Sequence, residues 1–166
     1  MSKDNNAGLI EQLWQQHGAS LNRMMMSYEV DADLRKDLAQ NVLLALLNSA
    51  ERIKTADNKK AYVFRIAHNV ATDHVARECR MQWTELHDGL EDEQPTPEQY
   101  TEKQQQISRL MAAVRSLQLP LRQVATLLLE DFDQQDIADI LQISHGNVRV
   151  RINRVKQVLQ ETMKYE

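Results

Sequence analysis

Apolar residues recur at helical spacing in one run after another along the chain. Leu9, Leu13, Leu21, Met24, Met25 and Tyr28 form the stripe of a first helix over about 9–29. Gly18 sits in its middle and weakens it by roughly 1 kcal/mol relative to Ala. Asp31 or Asp33 caps a second helix over about 33–49, with Leu34, Leu38, Val42 and Ala45 on its core side. Leu43, Leu44, Leu46 and Leu47 make the second half of that helix apolar nearly all round. Either a partner meets the excess or the helix is sandwiched between two others.

A polar loop, Glu51 to Asn58, precedes a third helix of about 59–80, whose core side carries Tyr62 or Val63, Ile66, Val70 and Val75. From Met81 to Pro95 the helical signal stops and acids accumulate, which predicts a linker. Structure restarts at Thr96-Pro97-Glu98-Gln99, where Thr96 caps, Pro97 takes the first helical position and Gln99 closes a capping box. Helices of about 97–117 and 120–131 follow, the latter opened by Pro120.

The last segment has the layout of a helix-turn-helix. Asp133 and Ser144 are N-cap residue types, each just before an apolar-periodic run. Ile137, Ile140 and Leu141 follow the first, and Val148, Ile152, Val155 and Leu159 follow the second, with a tight Gln142-Ile143 connection between. The second helix exposes Arg149, Arg151, Asn153, Arg154 and Lys156, as a helix lying in a DNA major groove would. Charge runs also solvate helices that bind nothing.

Composition agrees with an all-α chain: 166 residues hold only 4 Gly and 3 Pro, with 5% aromatics. The seven Met suit adaptable core packing. No window matches the ~18–20 apolar residues of a membrane span, and no signal peptide is expected at the polar N-terminus. The single Cys79 excludes an internal disulfide and suggests a reducing, cytoplasmic setting. A net charge of −4 argues against nucleic acid until its distribution is read. Residues 34–80 hold nine Lys/Arg against five Asp/Glu, 81–106 one against seven, and 142–166 five against two. Two basic modules therefore flank an acidic connector.

Little enzymatic chemistry is visible. No Gly-rich phosphate loop or nucleophile elbow occurs, and the acids cluster in the linker. A metal site from His68, His74 and Cys79 fails on spacing, because eleven residues of helix separate His68 from Cys79 by ~16 Å. No metal or cofactor is expected.

Asp37-Leu-Ala-Gln40-Asn41-Val42, then Tyr62-Val-Phe-Arg65-Ile-Ala-His-Asn69-Val-Ala-Thr-Asp73, then the C-terminal helix-turn-helix resemble an extracytoplasmic-function (ECF) sigma factor of bacterial RNA polymerase. The resemblance covers about residues 9–162. It implies a non-enzymatic initiation factor of two small helical domains: 1–80 like sigma region 2, an acidic linker 81–96, and 97–166, a four-helix region 4-like domain. Asp37, Gln40, Asn41 and Leu44 match the face that docks on core polymerase at the β′ clamp helices, with the β flap a second contact. Lys59, Lys60, Tyr62, Arg65, Asn69, Asp73, Arg77 and Arg80 match the part that melts and reads the −10 element of promoter DNA. Ser144, His145, Asn147, Arg149, Arg151, Asn153, Arg154 and Lys156 match the −35 reader, and an anti-sigma factor is an expected partner. Departures from the family pattern are Tyr62 for Trp, Asn41 for an acid, Gln142 for the turn Gly, and Asn147 and Val150 for Thr and Ser. Two rivals remain open: a helix-turn-helix regulator that binds DNA as a dimer without polymerase, and a protein that only competes for polymerase.

Overall fold

A computed structural model describes residues 2–84 and 101–164 of the chain. Those residues form eight helices and no strand: α1 (Ser2–Tyr28), α2 (Ala32–Asn48), α3 (Ala50–Thr55), α4 (Lys59–Thr84), α5 (Glu102–Ser116), α6 (Leu119–Leu129), α7 (Gln134–Leu141) and α8 (His145–Lys164). Most of the expected linker and the Thr96 cap lie outside the described residues.

Short polar side chains start most of these helices by satisfying backbone N–H groups that have no partner within the first turn. Asp31 accepts from the N–H groups of Asp33 and Leu34 at 2.9 and 3.0 Å, and Asn58 from that of Ala61 at 3.0 Å. Asp133 accepts from Asp136 at 2.8 Å and Ser144 from Asn147 at 3.1 Å. The helix expected from 97 instead starts at Glu102, where Thr101 and Gln104 form a reciprocal capping box. The same cap chemistry occurs twice in this stretch of sequence, and extended backbone at Thr101 places the start of α5 at the second.

Two further expectations change. The polar loop contains the six-residue α3, too short to show a periodic pattern and held by complete burial of Ile53. On α4 the buried face is Val63, Phe64, Ala67, His68, Ala71 and His74, while Tyr62, Ile66, Val70 and Val75 are only half-buried. α4 packs against α1 and α2, and this face, with the small Ala67 and Ala71, is the enclosed one.

The N- and C-terminal helices share one apolar core. Phe64 of α4 meets Phe132, between α6 and α7, edge-to-face at 4.9 Å, and the Lys60 ammonium lies 4.7 Å above the same Phe132 ring. Arg23 of α1 forks onto both carboxylate oxygens of Glu130 at 2.8 and 2.9 Å. A pair with one exposed member contributes about 1 kcal/mol or less. A buried Phe contributes ~2–3 kcal/mol, so the aromatic contact dominates.

Nearby, the Tyr28 hydroxyl and His68 Nδ1 share a hydrogen bond of 3.0 Å, with Thr126 of α6 also bonded to that hydroxyl. Burial pushes the Tyr28 phenol up and holds His68 down at about 3. His68 Nε2 is buried with no hydrogen-bond partner among the described residues, so a protonated ring has no second acceptor.

The unfolded state therefore binds a proton at His68 that the folded state refuses between its ordinary value near 6.5 and about 3. Stability due to neutral His68 is fully present above about pH 6.5 and declines as pH falls through that window. At pH 5 the loss reaches ~2 kcal/mol from this group. Urea denaturation at pH 7.5 and 5.0 should show that difference in the parent and a smaller one in His68→Gln.

Gln142 ends α7 in the left-handed region, at φ 56° and ψ 47°. A side chain there costs about 1 kcal/mol that glycine avoids. Gln142→Gly is expected to raise unfolding stability by ~0.5–1 kcal/mol by the same measurement, with unchanged helicity.

Candidate nucleic-acid interface

The site is spread over three helices whose buried stripes aim their other faces outward. α8 buries Val148, Ile152 and Val155, which leaves Ser144, His145, Asn147, Arg149, Asn153, Arg154 and Lys156 exposed. Arg151 departs from the group. It is half-buried, and its Nε donates to Asn147 Oδ1 at 3.2 Å. Asn147 thus uses its carbonyl to aim a guanidinium one turn along. The exposed Val150, 47% accessible, was not among the expected contacts. An apolar side chain near the start of a groove-reading helix is suited to a thymine methyl. Its position between Arg149 and Arg151 was the available signal.

α4 exposes Lys59, Lys60, Asn69, Asp73, Arg77 and Arg80, with Tyr62 and Arg65 half-buried beside them. The Arg65 guanidinium lies 6.0 Å from the Tyr62 ring centre, a flat cation-on-ring arrangement. Asn69 carries an amide donor and acceptor on this open face.

α2 buries Leu38, Val42 and Leu46. Its opposite side exposes Asp37, Gln40, Asn41 and Leu44, spaced so that all four fall on one line. Leu44 is 58% accessible, and Leu47, three residues on and expected in the leucine excess but not in the docking set, is 39% accessible. The all-round leucines of this helix therefore divide between core and surface, with Leu43 half-buried between them. A groove of about 430 Å³, lined by Asn41, Val70, Asp73, Ala76, Arg77 and Arg80, joins this edge of α2 to the exposed edge of α4. The α8 set stands apart from these two.

Residues 13–81 match the family model for Sigma-70 region 2. The chain is 24% identical over 163 residues to the RNA polymerase sigma factor YlaC of Bacillus subtilis, covering 93% of this chain and 91% of that protein. It is 26% identical over 155 residues to the ECF RNA polymerase sigma factor SigE of Mycolicibacterium smegmatis, covering 91% of this chain and 60% of the longer relative. The chain is thus similar to extracytoplasmic-function sigma factors along most of its length, and the resemblance carried by its residues is borne out. Two solved structures share the fold. CnrH in complex with the cytosolic domain of CnrY gives a TM-score of 0.72 at 18% identity, covering 99% of this chain and 93% of that one. The sigma factor RpoE of Bartonella quintana in complex with the anti-sigma factor NepR also gives 0.72, at 20% identity, covering 93% and 96%. No described helix is long and apolar enough to cross a membrane.

Arg149 and Lys156 lie on one line of α8, seven residues or ~10 Å apart. Were α8 to lie in a major groove, Arg149 near its start would face base edges and Lys156 a phosphate. Arg149→Ala should cost ~1–3 kcal/mol and relax choice at one base pair. Lys156→Ala should weaken all sequences alike and lower the salt slope by about one. Binding by the full chain to single-base −35 variants at two salt concentrations separates the two. A uniform loss for both would reduce Arg149 to a backbone clamp.

Proposed function

We propose that this chain is a transcription initiation factor that binds core RNA polymerase and directs it to promoters with −10 and −35 elements. Residues 1–80 act as the polymerase-docking and −10 module, 81–96 as an acidic linker, and 97–166 as the −35 module. The observation that carries the reading is the groove at which the exposed line of α2 meets the exposed edge of α4. Polymerase contact through Asp37, Gln40, Asn41, Leu44 and Leu47 would then lie directly beside single-stranded DNA held by Asn69, Arg77 and Arg80. The basic edge and Tyr62 suit an unstacked strand, and the amide of Asn69 suits a base edge. The relatives' names, RNA polymerase sigma factors, support the same partner. The titles of the two fold neighbours, one naming an anti-sigma factor, support a regulatory protein partner as well.

The packed arrangement adds a constraint. The two elements are ~25 base pairs apart by name, or ~85 Å at 3.4 Å per step. In the packed chain α4 touches α7, and only three residues separate α7 from α8. Both readers cannot engage their elements while Phe64 packs on Phe132, so the halves separate on promoter binding. The dimeric-regulator alternative predicts tight binding to a palindrome without polymerase.

The test is run-off transcription with core polymerase, together with a β′ pull-down. Polymerase-dependent transcripts from a bipartite, non-palindromic site are expected; tight polymerase-independent binding would sink the reading. In the same assays, Gln40→Arg with Asn41→Arg should weaken core affinity about tenfold or more with unchanged circular dichroism, since misplaced charge in a docking face costs upwards of 1.4 kcal/mol. Asn69→Ala should leave core affinity unchanged and slow promoter melting seen by permanganate footprinting.

A further inference from the structure

A second cavity, of about 380 Å³, lies where α1 ends, lined in part by Glu29, His74, Glu78, Cys79 and, from α6, Arg122. Glu29 follows the last residue of α1, while His74 and Glu78 are one turn apart on α4 and so share a face. His74 is buried and the two glutamates partly buried. Its Nε2 is 2.9 Å from Glu29 Oε1, and one donor atom from each of the three residues lies within 4.8 Å of the others. The Asp31 N–H donates to Glu29 Oε2 at 3.2 Å, which holds the carboxylate against turning away.

We propose that Glu29, His74 and Glu78 bind a divalent transition-metal ion of the zinc type. An imidazole nitrogen and two carboxylate oxygens are a zinc donor set, with bonds of ~2.0–2.2 Å. Two ligands on one tetrahedral ion then stand about 3.3 Å apart. The Glu29–His74 pair is already near that spacing, and Glu78, the long side chain one turn along, closes the remainder by rotation. A hydrogen bond accounts for Glu29 and His74 as a pair, but not for a second carboxylate brought beside the first. Two carboxylates at this range repel, and a cation between them reverses the sign of that interaction. Their two charges balance a divalent ion, so the neighbouring Arg122 faces a neutral site. Its guanidinium is engaged with the Leu117 carbonyl and the Tyr28 ring. The imidazole selects zinc, cobalt or nickel over magnesium and calcium, which favour oxygen-only shells.

The spacing argument against His68, His74 and Cys79 concerned another trio. His68 sits in the core on Tyr28, whereas Glu29 reaches His74 from just beyond the end of α1. The site is independent of promoter reading, since none of its three ligands is among the docking or DNA-contact residues. An ion there would tie the end of α1 to α4.

The experiment is calorimetric titration of the chelator-stripped full chain with zinc chloride, paired with the visible bands of added cobalt and a thermal melt. A dissociation constant of about micromolar or tighter and a rise in Tm are expected. His74→Gln should abolish binding, and Glu78→Gln, which leaves the Glu29–His74 contact in place, should weaken it tenfold or more with unchanged circular dichroism. Cys79→Ser should bind within twofold of the parent. Millimolar binding by the parent, or parental affinity in both the His74 and Glu78 variants, overturns the site. Should His74→Gln fail to fold, Glu78→Gln alone decides.

Discussion

Phe64 and His68, one turn apart on α4, are both fully enclosed, and the packing of the rest of the molecule is arranged around that enclosure. Phe64 is closed off by Phe132 from the C-terminal half, and His68 by Tyr28 from the end of α1. Tyr28 in turn reaches Thr126 of α6. A neutral imidazole and a neutral phenol can be buried together because they share one hydrogen bond; charging either would strand it in an apolar surround. With this face of α4 held inward, its opposite edge is forced outward. The exposure of Asn69, Asp73 and Arg77 is a consequence of what lies on the other side.

The same contact sets the functional tension. It unites two halves that the proposed promoter engagement would hold far apart. The apolar area covering Phe64 and Phe132 stabilises the compact form far more than the single surface ion pair Arg23–Glu130. Any partner that binds the exposed leucines of α2 acts on a helix packed directly against α4.

Much of this was legible in the residues themselves. Cap chemistry is local: Asp31, Asp133 and Ser144 satisfy N–H groups within three residues, so sequence alone located the starts of α7 and α8 and narrowed the cap of α2 to Asp31 or Asp33. The outward line of Asp37, Gln40, Asn41 and Leu44 follows from helical spacing once Leu38 and Val42 are assigned to the core. The penalty at Gln142 was likewise implied by a turn that needs a left-handed residue where no glycine stands. The resemblance to sigma factors was readable because the residues that carry it keep their order and spacing.

Tertiary structure decided what depends on distant neighbours. Ile53 looks like a lone apolar residue in a polar loop until something covers it. On α4 the sequence offered Ile66, Val70 and Val75 as the core face. Burial went instead to the side where Ala67 and Ala71 admit neighbouring helices, because close approach there gains more contact than larger residues on a crowded side. The meeting of Glu29 with His74, 45 positions apart, has no sequence signature at all. Spacing rules see only one element at a time, and a site assembled by the packing of two helices exists only once they are packed.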